Sequence, residues 1–137
     1  MYLLDTNIFS ALRKLTTHTA PVHEWAKTIQ PDDIFLSVLV IGEIHKGIAA
    51  VRRNDPRAAV SLSTWLGRTV DEHRDRILRV DQRAAELWGP LNVPDPLPVI
   101  DSLLAATALV HDLTLVTRNV RDVARTGVKV LNPFEGT

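Results

Sequence analysis

The chain is 137 residues long, 45% hydrophobic and 23% charged, which suits a single domain over 1–137 and excludes disorder, collagen-like repeats and coiled coil. Without cysteine it can have no disulfide, thiolate zinc site, iron–sulfur cluster or cysteine nucleophile, and a cytoplasmic location is expected. Sixteen basic and sixteen acidic residues cancel, which excludes a strongly basic nucleic-acid binder, yet arginine, the better fork for phosphate, outnumbers lysine twelve to four.

Tyr2-Leu3-Leu4 reads as a short buried strand stopped by Asp5-Thr6-Asn7. Thr6 or Asn7 is the expected cap of a helix whose apolar residues recur from Ile8 to Leu15. These opening residues carry no signal-peptide pattern. Pro21 opens a second helix through Trp25 and Ile29, ended by Pro31-Asp32-Asp33. Ile34-Phe35-Leu36 is a second buried strand, passing through Ser37 into a long helix to about Arg53. After the Asn54-Asp55-Pro56 turn a helix is predicted from Ala58 to His73.

Ile77 to Val80 is a third predicted strand, and Asp81 caps a helix carrying Leu87 and Trp88. Gly89 to Pro98, with four prolines, is expected to be a loop. Val99 to Val110 is an almost wholly apolar helix, shorter than the ~18 apolar residues of a membrane span, so no membrane association is expected. Leu113 to Val116 is a fourth strand, Asn119 to Arg125 a short helix, and Val128 to Leu131 a fifth strand. Strands alternating with helices predict an α/β three-layer sandwich, a parallel sheet of four or five strands with helices on both faces. In such sheets ligands gather at the carboxyl ends of the strands.

Several acids fall at that edge. Asp5 ends the first strand, where helix capping alone would also explain it. Glu43 has Leu39, Val40, Gly47 and Ala50 as helical neighbours, so it is expected on an apolar face, where an unpaired carboxylate costs several kcal/mol. Asp101 enters the most apolar helix of the chain, in the first turn, where it complements the helix dipole. Asn119 and Asp122 follow the fourth strand and share one helical face. Carboxylates crowded together raise each other's pKa and call for a cation. Oxygen donors with little His and no Cys suit Mg²⁺, with Mn²⁺ as a substitute, and a magnesium site edged with arginine points to phosphoryl chemistry.

Four segments carry a resemblance. Leu3-Leu4-Asp5-Thr6-Asn7, Ile41-Gly42-Glu43 with Gly47, Asp101-Ser102-Leu103-Leu104-Ala105-Ala106-Thr107-Ala108, and Leu115-Val116-Thr117-Arg118-Asn119 with Asp122 resemble PIN-domain ribonucleases, most closely VapC toxins and their FitB-like relatives. The likeness runs from Met1 to the Asn132-Pro133-Phe134 tail. It implies a PIN-like fold and a Mg²⁺-dependent endoribonuclease, the toxin of a type II toxin–antitoxin pair. It also implies a cognate VapB-type antitoxin and a homodimer. Asp5, Glu43 and Asp101 carry over as the family's acidic set, in catalytic and metal-binding roles. Many relatives have Asp where this chain has Asn119, so either Asn119 or Asp122 completes the metal site.

Setting aside Asp5, Glu43, Asp101 and Asp122 leaves sixteen basic residues against twelve acidic ones. Arg118, Arg121, Arg13 and Lys14 are then candidates for phosphate contact, and Thr6, Asn7 and Thr117 for further substrate contact. Trp25, Trp65 and Trp88 are three of only seven aromatics, and are expected either in the core or on a helical face that seats a partner. Two other functions fit some of these residues. One is a catalytically silent scaffold of the same fold that binds RNA or protein, and the other is an unrelated phosphotransfer enzyme with Asp5 as covalent nucleophile.

Overall fold

The computed structural model describes residues 1–135, so the last two residues of the domain expected over 1–137 lie outside the described residues. Among the described residues there are five strands, β1 (Tyr2–Leu4), β2 (Ile34–Ser37), β3 (Ile77–Leu78), β4 (Thr114–Val116) and β5 (Val130–Leu131). They form one sheet in the order β3-β2-β1-β4-β5, and every neighbouring pair is parallel. Tyr2 stands opposite Ile34 on one side and Thr114 on the other, Ser37 opposite Leu78, and Leu115 opposite Val130.

Parallel neighbours need crossover connections, and helices supply them. Between β1 and β2 run α1 (Thr6–Ala11) and α2 (Ala20–Ala26), and between β2 and β3 run α3 (Val38–Arg52) and α4 (Pro56–Glu72). Between β3 and β4 come α5 (Gln82–Leu91) and α6 (Val99–Val110), and before β5 comes the short α7 (Val120–Val123). The chain steps outward from β1 through β2 to β3, then returns across the sheet to β4 and β5. Right-handed crossovers therefore put α1 to α4 on one face and α5 to α7 on the other. The packing agrees, with α1 against α3, α3 against α4, α5 against α6 and α6 against α7.

Covered on both faces, the central strands are apolar except for Ser37 and Thr114 at their ends. Leu3, Leu4, Leu36, Leu115 and Val116 are fully buried, against Val40, Ile44 and Ile48 of α3 and Leu104, Ala105 and Ala108 of α6. Among the described residues no helix is long and apolar enough to cross a membrane.

Several boundaries differ from the sequence expectation, each for a local reason. The first helix stops at Ala11 and leaves Leu15 exposed. Thr19 Oγ1 accepts from the Thr16 N–H and donates to the Lys14 carbonyl, so hydroxyls take the bonds that a continuing helix would use. The predicted strands Ile77 to Val80 and Val128 to Leu131 shrink to two residues each. β2 turns into α3 after Ser37, so beyond Leu78 the third strand has nothing to pair with. Val128 N–H is taken by Thr126 Oγ1 after the left-handed turn at Gly127.

The expected loop from Gly89 also begins later, because α5 runs on through Pro90 to Leu91. Proline there withholds one N–H from the carbonyl of exposed Glu86, which water can satisfy. Asn92 then braces the remaining loop, donating to the Trp88 carbonyl and accepting from the Leu97 N–H. Asn119 to Arg125 resolves into α7 and a tighter turn at Ala124–Thr126.

Candidate active site

The strand order reverses direction between β1 and β4, and such a switch point opens a crevice at the carboxyl ends of the two strands. Asp5 lies at that point. Its extended backbone makes it, and not Thr6 or Asn7, the cap of α1, with Oδ1 accepting from the Thr6 N–H at 2.6 Å. Its other oxygen, Oδ2, accepts from the Thr117 hydroxyl at 2.6 Å, and its own N–H donates to the Val116 carbonyl at 2.9 Å. Asp5 is only 4% exposed. The capping role and a functional role thus coincide in one carboxylate.

Glu43 stands in the second turn of α3, whose start is fixed by Ser37 Oγ accepting from the Leu39 N–H. The buried stripe of α3 is Val40, Ile44 and Ile48, while Gly47 and Ala50 are exposed. Glu43 is therefore not on the core face, as its neighbours suggested, but half-buried beside it, on the cleft wall. Thr6 Oγ1 donates to Glu43 Oε1 at 2.7 Å. One threonine thereby serves two acids, Asp5 through its backbone and Glu43 through its hydroxyl.

Asp101 is half-buried in the first turn of α6. That turn is locked by its neighbour Ser102, whose Oγ donates to the Pro98 carbonyl and accepts from Trp88 Nε1 at 2.9 Å. Trp88 is half-buried and positions this turn, a role its sequence context did not suggest. The other tryptophans are half-buried too, Trp25 edge-on to Tyr2 and Trp65 against Phe9.

After β4, Thr117 is buried, and its Oγ1 accepts from the Asn119 N–H while donating to Asp5. Thr6 and Thr117 thus spend their hydroxyls on the acids. Asn119 makes no capping bond with its side chain and lines the cleft. Asp122 and Arg121 are exposed on α7 and do not line it. Of the arginines, Arg118 is at the rim. Arg13 reaches Ser61 Oγ at 3.3 Å and lines an adjoining groove that shares Thr6 and Glu43. Lys14 is exposed and lines neither. The cleft, about 870 Å³, is also lined by His18 and Phe134, which sequence reasoning did not single out. His18 reaches the cleft from a loop, and Phe134 from the tail, which the resemblance marks only as its end point.

Burial pushes the Asp5 carboxyl above its ordinary range, against the pull of its bonds from Thr117 and Thr6, and the charge of Glu43 adds to the rise. Asp101 is pushed up to about 6, by burial first and then by the charges of Asp5, Asp122 and Glu43, with the Asn119 amide working the other way. The acids therefore share a field although they come from three separate segments. Among the described residues no three His, Cys, Asp or Glu side chains are gathered closely enough to form a ready-made metal cage. The donor set still fits a hard divalent cation. It is all oxygen, it is short of positive charge, and the Asn7 Oδ1 lining the same cleft is buried without a protein partner. The amino ends of α3 and α6 also face this edge, and their dipoles favour negative charge there.

Comparison with known proteins followed the same lines. The PIN domain family profile matches residues 2–129. Ribonuclease VapC14 of Mycobacterium tuberculosis is 35% identical over 79 residues, covering 58% of this chain and 69% of the relative. The crystal structure of FitAcB from Neisseria gonorrhoeae superposes with a TM-score of 0.88 at 26% identity, covering 98% of this chain and 99% of the other. A toxin-antitoxin complex from Klebsiella pneumoniae has a chain 25% identical, with a TM-score of 0.64 over 97% of this chain and 98% of its own.

Proposed function

The chain belongs to the PIN-domain family, among the VapC-type ribonucleases that serve as toxins of type II toxin–antitoxin pairs, and from that premise we propose how its cleft cuts RNA. The observation that carries the proposal is the buried Asp5, held at the switch point by Thr117 and Thr6, with Glu43 and Asp101 on the walls of the same cleft. Asp5 and Asp101 are the residues that would hold Mg²⁺, or Mn²⁺ in its place, with Glu43 beside them and Asn119 completing the set. Asn119 is preferred to Asp122 because it lines the cleft and Asp122 does not. A bound divalent cation supplies charge neutralisation at the phosphate and acidifies a water molecule.

The side chains do the rest. Thr6 holds Oε1 of Glu43, which leaves Oε2 to take a proton from the attacking water. The water oxygen bonds to phosphorus as the bond to the 3′ oxygen breaks, that oxygen takes a proton from solvent water, and Glu43 returns its own proton to solvent. The products carry a 5′-phosphate and a 3′-hydroxyl. Arg118 at the rim draws the RNA backbone toward the acids. A cognate VapB-type antitoxin belongs to the same reading, supported by likeness to the Klebsiella toxin-antitoxin complex, and a homodimeric state is part of what the family resemblance implies. A basic side chain of such an antitoxin, inserted toward Asp5, Glu43 and Asp101, would satisfy the carboxylates and silence the site.

Cleavage of a generic RNA with Mg²⁺ and with EDTA, followed by analysis of the new ends, tests the mechanism. Cyclic 2′,3′-phosphate ends would overturn the water-attack route.

A further inference from the structure

Three residues that are far apart in sequence meet at one lip of the cleft. The guanidinium of Arg118 lies 4.9 Å from the centre of the Phe134 ring, and the His18 ring lies 5.3 Å from the same centre, tilted by 32°. Arg118 Nη1 and His18 Nε2 are 3.4 Å apart. An arginine head group and a histidine ring thus rest together against one aromatic ring. Each is held by its own segment. Phe134 packs on the core and its N–H donates to Asn132 Oδ1. His18 sits in the turn closed by Thr16 and Thr19. Arg118 directly follows Thr117, the residue that holds Asp5.

All three line the same cleft as Asp5, Glu43 and Asp101. Aromatic rings and guanidinium planes are the surfaces on which unpaired bases stack, and stacking accepts any base because every base has a flat face. In a duplex those faces are covered. Resting on the ribonuclease reading, we infer that His18, Arg118 and Phe134 form a stacking lip for one unpaired base next to the scissile phosphate. The lip favours an unpaired nucleotide at this one position beside the acids. Phe134 and His18 become substrate-binding residues, and Arg118 contributes both a plane and a charge.

The test uses the full chain carrying Asp101→Asn, expected to bind without cutting, and a short RNA with 2-aminopurine, whose fluorescence is quenched by stacking. The single strand is expected to bind with quenching, and the same strand in a duplex is expected to compete at least tenfold less well. Phe134→Leu, which keeps apolar bulk, should weaken single-strand binding about tenfold and relieve the quench. Phe134→Tyr should restore both, a rescue that a merely structural tail would not require. In the cleaving protein Phe134→Leu should raise KM and leave kcat nearly unchanged. Unaltered binding and KM in Phe134→Leu, with cleavage by the parent intact, would overturn the lip and leave the ribonuclease standing. A parent that neither binds nor cuts RNA would overturn both.

Discussion

Thr117 donates a 2.6 Å hydrogen bond to Asp5 across 112 residues of sequence, joining the ends of the two central strands where the sheet reverses its order. Both groups are buried, so this bond is one of the few things that make a carboxylate tolerable there. Replacing Thr117 by valine keeps the shape and removes the donor. Stability at pH 7 is expected to fall by about 1–3 kcal/mol, and by less at pH 4, because burial already raises the Asp5 carboxyl and acid favours the form that gains least from this donor. Denaturant titrations of both proteins at the two pH values check this.

Asp101 is raised in the same direction as Asp5. Its carboxyl is raised to about 6 in the folded protein from 3.8, so folding takes up a proton between those values. The penalty of its charge is absent below pH 3.8, grows up to pH 6 and is complete above it. Asp101→Asn should therefore stabilise the fold by about 1 kcal/mol at pH 7.5, after allowance for its partial exposure, and by nothing at pH 3.5. The same change should abolish cleavage. A variant that is less stable at pH 7.5 would contradict the crowding of acids.

The same protonation competes with a cation. Cleavage at limiting Mg²⁺ is expected to fall as pH drops through about 6, and the midpoint should move to lower pH as Mg²⁺ is raised. A midpoint independent of Mg²⁺ concentration would mean that the titrating group is not a ligand.

Thr6 can be split into its two functions. Thr6→Val retains the N–H bonded to Asp5 but loses the hydroxyl bonded to Glu43. The fold should lose no more than about 1 kcal/mol, while kcat falls and KM is preserved. An unchanged kcat would show that Glu43 needs no help in pointing at the reacting water.

The two neighbouring arginines should separate under salt. Arg118 is on the cleft rim and Arg121 is exposed on α7 away from it. Arg118→Ala is expected to weaken single-stranded RNA binding and reduce the salt slope by about 0.7, the value of one phosphate contact. Arg121→Ala should leave the slope as it was. Filter binding between low and moderate salt distinguishes them.

The sequence by itself determined the layered sheet and the identity of its acids. Apolar runs such as Tyr2-Leu3-Leu4 and Ile34-Phe35-Leu36 have no polar alternation and are too short for helices, so they read as strands buried on both faces, and the polar residues that end them emerge at one edge. Asp5 and Asn119 follow such runs, whereas Glu43 and Asp101 stood out as acids set in apolar helices, and all four line one cleft. Their precise settings were not legible. Helical spacing put Glu43 among apolar neighbours, but the side of α3 that meets the sheet is chosen by packing, and Val40, Ile44 and Ile48 won it. Whether Asn119 or Asp122 faces the cleft depends on how α7 departs from β4, a matter of a few backbone angles. Threonines 6 and 117 looked like substrate contacts, and only the register of β1 against β4 turned them into supports for the acids. Neither His18 nor Phe134 was marked as a site residue by the sequence, since a contact between residues 18, 118 and 134 exists only once the chain has closed. Local patterns decide which residues each element holds, because burial is a property of short periods. Which side chains meet is decided by tertiary structure, because that meeting is a property of the whole path of the chain.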